Sequence, residues 1–427
     1  MCKLPLKVVL HSRKSFLCFV AGFLALILTL IQIKAGLGVT FFRGCIVISC
    51  SAKSPKDEKP ETKSFDTKMI QERFLERKLI MDDGCANHVL QKKGQPTFDR
   101  GDYLTINGTA LYCPIEKTAS ITWRGIFDEI QRKGVQVNTV GYFMVYPLDL
   151  VSLFSNLDAD IRFIFVREPY GRHVSAYVDK LFSPNIEFWR NFGKHIIRKF
   201  RPNATVRSKA CGHDVTFAEY IKYVIDAERS GDHRDGHFLP QHSHCHICRF
   251  PYNYIGHLET MEEDTKFLLK AIRSPVDYNQ DYGMFTMEDQ ARWYFGDRKR
   301  YGHCMELEEA LRRYWKKLQI RGLVHKTFDF PFTAEQLRSI TAADLIREGR
   351  KAVLKSREQG GAKGNKREAL VEAFQSVSAD DKDQLRQLYW RDFELFGYNP
   401  SPEDIFGNST ADSLNNDRKF SYFSVWD

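Results

Sequence analysis

The residues best suited to grip an anion lie in two short polar stretches, each directly after an apolar burst. The first is Cys113 to Trp123 (CPIEKTASITW), where Glu116, Lys117, Thr118, Ala119, Ser120, Ile121 and Thr122 make a turn with one cation and several hydroxyls. A turn that opens a helix aims backbone N–H groups and the positive end of the helix dipole at a negative group. The glycine-rich phosphate-loop pattern is absent from it, and Ser and Thr also cap helices for local reasons. The second stretch is Val166 to Lys180 (VREPYGRHVSAYVDK), with Arg167 at its start and Ser175 about two helical turns later. A planar guanidinium paired with a hydroxyl suits a phosphomonoester. Glu168, Pro169, Tyr170, Gly171, Arg172, His173 and Val174 lie between them and complete the candidate stretch.

A third group is rich in imidazole: His233, His237, His242, His244 and His246, interleaved with Cys245 and Cys248. An imidazole titrates near neutral pH, so His237 is the candidate general base, with Glu259 as a second. Two thiolates and two imidazoles also fit a tetrahedral zinc site. In an oxidising compartment the cysteines go to disulfides instead, and no metal is expected.

The elements that must position these groups are legible as alternation. Ala110 to Ile115 (ALYCPI) and Ile161 to Val166 (IRFIFV) read as strands, each followed by a polar turn and a helical pattern, which predicts a parallel α/β sheet with crossover helices. Gln71 to Met81 has helical spacing and opens the compact domain. Ala343 to Asn365, ending in GGAKGNK, reads as an exposed helix and a mobile loop whose charge is a solvated face. A helical pattern resumes from Lys366 to Tyr398.

The chain has 427 residues, 43% hydrophobic and 13% aromatic, enough for a large core, and a formal charge of +9 that suits an anionic partner of some kind. Ser15 to Ile33 runs nineteen residues without a charge, near the ~20 that cross a bilayer. With Lys3, Lys7, Arg13 and Lys14 before it, it predicts a signal anchor with a cytoplasmic N-terminus. The expected organisation is a tail over 1–14, the anchor over 15–33, a stem over 34–67 that includes the Lys, Glu, Ser and Pro-rich Ser51 to Ser64, a luminal domain over 68–400 and a tail over 401–427. Sequons at Asn107, Asn203 and Asn408 all fall downstream of the anchor. So do Cys85, Cys113, Cys211, Cys245, Cys248 and Cys304, whose pairing the sequence leaves open. The anchor, the sequons and the lack of a reader motif exclude nucleic acid as partner.

Together and in this order, the two junctions resemble the donor-binding signature of Golgi carbohydrate sulfotransferases. The match is closest to the branch of the chondroitin and dermatan 4-O-sulfotransferases and the glucuronyl 3-O-sulfotransferases of the natural killer epitope. REPYGRHVSAY resembles their 3′-phosphate motif R-D-P-F-x-R-x-V-S-A-[FY]. His237-Phe-Leu-Pro240, Cys245-His-Ile-Cys248, Tyr254 to Glu259 and Tyr389 to Tyr398 resemble later blocks, so the likeness runs from about Glu72 to Tyr398. It implies a P-loop-like sulfotransferase fold and a type II Golgi membrane protein. It also implies transfer of sulfate from 3′-phosphoadenosine 5′-phosphosulfate (PAPS) to a glycan or proteoglycan hydroxyl, position 4 of GalNAc being the first expectation. In those roles Lys117 meets the bridging or 5′-phosphate oxygen, Lys117 to Thr122 hold the 5′ end, Arg167 and Ser175 take the 3′-phosphate, and His237 is the base. Glu116 and Thr122 replace the family's proline and asparagine, and Asp281 to Asn365 exceeds its usual spacing. An acidic group beside an anionic donor opposes binding, so the alternative is a membrane-anchored glycan binder that keeps the fold without the activity.

Overall fold

The structure, a computed structural model, describes residues 38–42, 45–49, 66–89, 101–106, 108–142, 159–278, 281–407 and 420–426. The predicted span Ser15 to Ile33, Ser51 to Ser64, Asn107 and Asn408 lie outside the described residues. Among the described residues no helix is long and apolar enough to cross a membrane. The chain divides into two units, 1–64 and 65–427. In the first, β1 (Gly38–Phe42) and β2 (Cys45–Ser49) pair antiparallel within the segment predicted as stem.

The second unit opens on α1 (Thr67–Val89) and is built on a five-stranded sheet in the order β5-β3-β4-β6-β7. Its strands are β3 (Gly101–Ile106), β4 (Gly108–Cys113), β5 (Val137–Tyr142), β6 (Ala159–Val166) and β7 (Tyr254–His257). β4, β6 and β7 run parallel, whereas β3 is antiparallel to both β4 and β5. The sheet is therefore mixed, which corrects the all-parallel expectation. The physical reason is chain length: Ile106 pairs with Ala110 across a tight connection containing Gly108 at φ 66, and only an antiparallel partner can be reached so quickly.

Side chains on the parallel strands alternate between two covered faces. Ala110, Tyr112, Phe163 and Phe165 face one core, with Phe74 of α1 and Trp123, Ile126, Phe127 and Ile130 of α2 (Ser120–Arg132). Those four α2 positions follow the i, i+3, i+4, i+7 pattern of a helix with one buried stripe. Leu111, Cys113, Ile164 and Val166 face the other, against Ile247, Phe250 and Leu395. A helical layer holds α3 (Pro169–Tyr177), α4 (Phe217–Ser230) and α8 (Lys363–Gln375) around Tyr170, Tyr220 and Phe374. The long segment from residue 281 onward builds a further apolar cluster with Trp189 and Cys211 through α5 (Tyr282–Gly296), α6 (Leu307–Ile320) and α7 (Ala342–Glu358), with Tyr314, Leu318 and Val353 inside.

The expected mobile loop GGAKGNK is a tight interhelical turn instead. Gly360 and Gly361, at φ 91 and 87, end α7, and Lys363 already begins α8. Buried Asn365 donates from Nδ2 to Gln319 O and Val324 O, at 3.1 and 3.0 Å. Of the expected C-terminal tail, residues 420–426 pack back on the unit: Tyr422 is buried, and Ser421 Oγ donates to Glu372 at 2.6 Å.

Topology sets the place for a ligand. From β4 the chain passes through α2 to β5 on one side of the sheet, and from β6 it passes to β7 on the other. The crevice at the carboxyl ends of β4 and β6 is thus a topological switch point, where open α/β sheets bind ligands. Both candidate stretches begin there.

Candidate active site

The turn after β4 is tightly wound. Lys117 and Ala119 both adopt left-handed backbone, φ 68 and 72, at a cost of about 1–3 kcal/mol each for residues with a side chain. Buried Thr118 holds the turn closed by donating its hydroxyl to Ile115 O at 2.9 Å. Lys117 Nζ donates to Asp179 Oδ2 at 2.7 Å, Lys317 Nζ donates to Oδ1 at 2.8 Å, and Lys180 Nζ lies 3.4 Å away. Burial pulls the Lys117 ammonium down to about 8, against the opposing pull of Asp179. Burial acts to raise Asp179, but Lys117, Lys317 and Lys180 outweigh it and hold the carboxyl well below its ordinary value. Asp179 sits in the wide turn Val178–Phe182 that follows α3, a π-helical form common at functional sites.

At the end of β6, Arg167 N donates to Gln241 Oε1 and Gln241 Nε2 donates back to Arg167 O, both at 2.8 Å. Gln241 is held in turn by Asp392, fully buried on α9 (Trp390–Phe396), whose carboxylate accepts from Gln241 N at 2.6 Å and His242 N at 2.9 Å. The Arg167 guanidinium has no hydrogen bond or ion pair among the described residues, and neither do the hydroxyls of Ser120, Thr122 and Ser175. Burial lowers Arg167, with Glu259 and Glu168 opposing. Lys366 is open to solvent on one side; partial desolvation and then Arg167 and Arg321 lower it, and it makes no hydrogen bond or ion pair among the described residues. A Cβ on Gly171 would stand 3.6 Å from both Arg167 Nε and Leu370 Cδ1. Lys366, one turn before Leu370, shares its helix face and so lies towards Arg167. Nη1 of Arg321 is buried without a partner. This concentration of cations, none in an ion pair among the described residues, is a fitting place for a phosphate.

His237 presents a held imidazole. Asp235 Oδ1 accepts from His237 N at 2.9 Å and pairs with Nδ1 at 2.7 Å, which places the proton on Nδ1 and leaves Nε2 free to accept. Burial raises the Asp235 carboxyl, but the hydrogen bond and charge of His237 win and lower it. The ring meets Phe188 edge-on with centroids 5.3 Å apart, and Lys180 Nζ sits 4.8 Å from that same Phe188 ring. Lys180 therefore bridges the Lys117–Asp179 pair to the base.

Arg172, 2% exposed, ties the parts together. It donates to Glu116 O at 3.0 Å, Leu239 O at 2.5 Å and Gly236 O at 3.1 Å, so one guanidinium pins both the donor turn and the His237 segment to α3. The Glu116 carboxylate lies 3.5 Å from the place of a Cβ on Gly236 and 3.5 Å from His244 Nδ1, turned towards that segment. Burial lowers His244 to about 4, with Glu116 opposing.

Other predicted residues serve the scaffold. Glu168 caps α3, accepting from Tyr170 N at 3.0 Å and Gly171 N at 2.6 Å. Tyr170 OH donates to Pro400 O, His173 Nδ1 pairs with Tyr220 OH, and Pro169, Gly171 and Val174 are buried. Ile121 is 65% exposed. Glu259 accepts from Glu168 N at 3.1 Å and Tyr398 OH at 2.9 Å, so it is tied on both oxygens. Asn203 is exposed in a turn. The six cysteines from Cys85 onward resolve into Cys85–Cys248, Cys113–Cys245 and Cys211–Cys304, which leaves neither Cys245 nor Cys248 as a thiolate for the zinc alternative. Asp235 was within reach of the sequence, two residues before His237. Asp179 and Lys317 carried no signal, since their partners come from distant elements, and Lys366 carried none because only the fold brings its helix towards Arg167.

The chain belongs to the sulfotransferase family, whose model matches residues 108–332. It is 29% identical to human carbohydrate sulfotransferase 8 over 212 residues, 47% of this chain and 50% of that protein. It is 31% identical to human carbohydrate sulfotransferase 9 over 176 residues, 39% and 40% of the two chains. With carbohydrate sulfotransferase 14 of Danio rerio it shares 31% over 173 residues, 39% and 46%. The chain spans about half the length of the curated relatives it matches. No solved structure matches it.

Proposed function

We propose that this chain is a carbohydrate O-sulfotransferase that uses PAPS. The observation that carries the reading is the meeting, at the switch point of β4 and β6, of the Lys117 turn, the unpaired Arg167 and the Asp235-held His237. Arg167, Ser175 and Lys366 bind the 3′-phosphate, and the backbone and hydroxyls from Lys117 to Thr122 bind the 5′ end. His237 Nε2 takes the proton of the acceptor hydroxyl as that oxygen bonds to sulfur. Lys117 Nζ neutralises the phosphate oxygen that leaves with the electron pair of the broken sulfur–oxygen bond. Positioning and charge stabilisation carry such a reaction, as they carry phosphoryl transfer. The acceptor is a glycan or proteoglycan, with position 4 of GalNAc in chondroitin or dermatan first in order, and the setting is the Golgi membrane with the domain luminal. The non-catalytic alternative rests on the charge of Glu116, and what speaks for activity is that its carboxylate turns to Gly236 and His244. The test is transfer of labelled sulfate from PAPS to desulfated glycans by residues 65–427, beside Arg167→Ala and His237→Ala. Incorporation lost in both variants is expected; a folded protein that does not bind PAPS overturns the reading.

A further inference from the structure

The segment that leads to Phe188 and His237 carries a feature the reaction chemistry does not use. Residues 186–200 form a continuous helical run, Ile186–Phe188, Trp189–Gly193 and Lys194–Phe200, with Trp189, Ile196 and Ile197 buried beneath it. Gly193 presses its backbone on Gly212, since a Cβ there would stand 2.1 Å from Gly212 O. That contact fixes which face looks outward. On the outward face Arg190, Lys194 and Arg198 recur every four residues, one above the other. Arg190 and Arg198 are exposed and Lys194 half-buried.

None of the three has a hydrogen bond or ion pair among the described residues. Nearby basic residues do: Lys199 pairs with Asp226 at 2.6 Å, and Arg201 with Asp214 at 2.8 Å and Glu219 at 2.6 Å. The stripe lines a groove of about 470 Å³ with Asn191, His195 and Lys199, and no acidic side chain joins the lining. One end of the run is at the reacting centre, because Phe188, two residues before Arg190, is the ring that meets His237.

We propose that the stripe Arg190, Lys194 and Arg198 is the acceptor subsite, and that the acceptor is a polyanionic glycan chain laid along it with a hydroxyl at His237. The proposal rests on the sulfotransferase reading and narrows its substrate class. A neutral glycan is gripped by hydrogen bonds and ring faces; a row of uncompensated cations rewards repeated carboxylates or sulfates instead.

The experiment compares the wild-type protein with Arg190→Gln/Lys194→Gln/Arg198→Gln. A control, Arg338→Gln/Lys351→Gln/Lys355→Gln, removes the same charge from exposed positions elsewhere. Binding of a fluorescent chondroitin chain is titrated across salt concentrations, and PAPS binding is measured separately. Three ion pairs at an exposed surface predict a loss of about tenfold or more in chain affinity and a flatter salt dependence for the stripe variant. The control should stay within about twofold, PAPS binding should not change, and a short uncharged GalNAc acceptor should show the same KM with every protein. A stripe variant that binds the chain as the control does overturns the proposal. Failure of the wild type to bind PAPS overturns the sulfotransferase reading instead, and the chain titration still decides the stripe.

Discussion

Replacing Arg172 by methionine tests whether one buried guanidinium assembles the site. The side chain donates to Glu116 O, Leu239 O and Gly236 O and makes no ion pair among the described residues. Hydrogen bonds to a charged donor contribute ~1.5–3 kcal/mol each, so three set a ceiling near ~5–9 kcal/mol. Burying a guanidinium that has only carbonyls for company costs several kcal/mol, and methionine escapes that cost. The net expectation is a loss of about 2–4 kcal/mol, read as the shift in a urea unfolding curve at constant slope. Activity should suffer more than stability. The freed carbonyls belong to the Lys117 turn and the His237 segment, and a displacement near 1 Å between reacting groups costs about 10²-fold in rate. Arg172→Lys, which keeps the charge but reaches one carbonyl, should recover only part of either loss. A folded Arg172→Met protein that loses under ~1 kcal/mol and keeps its kcat/KM would refute the reasoning.

Acid should destabilise the fold, because burial lowers His173 to about 3, His244 and His246 to about 4 and His257 to about 3. These folded values lie below the unfolded 6.5, so the stability is complete above that pH and drains as pH falls towards 4, at up to ~1.4 kcal/mol per unit and histidine; a melting temperature that is flat from pH 7 to 5 would contradict this. The rate should decline as pH rises through about 8, where Lys117 loses its proton, and Lys117→Arg, if active, should lack that limb. Lys366→Ala is expected to weaken PAPS about tenfold while leaving adenosine 5′-phosphosulfate unaffected; equal loss for both would argue against a 3′-phosphate contact. Gly193→Ala should cost about 2–3 kcal/mol by forcing the basic run off Gly212, and an unchanged melting temperature would show that the contact relaxes.

The parts of the fold written in local pattern were readable. β6 and α2 announce themselves by an apolar run and by the Trp123, Ile126, Phe127, Ile130 stripe, and the anion-binding turns follow from what must join such elements. The antiparallel β3 has its sequence signal in Asn107-Gly108, a strong hairpin dipeptide that is masked by doubling as a sequon. The nearness of Lys366 to Arg167 has no sequence signature, since composition cannot say that Asn365 is anchored under α6 and carries its neighbour that way. Cysteine pairing was unreadable for the same reason: Cys113 and Cys245 are 132 residues apart and meet only once the sheet exists.

The tie from Asp392 to Gln241 has a consequence for where this chain can be cut or grafted. The stretch that matches the family ends at residue 332, yet the peptide that fixes Arg167 is anchored sixty residues further on. Tyr398 and Pro400 reach back in the same way to Glu259 and Tyr170. The transferable unit is therefore larger than its recognisable portion. A chimera joined at 332, or a message truncated shortly after it, would keep Lys117, Arg167, Ser175 and His237 and still lack the brace that makes them a site.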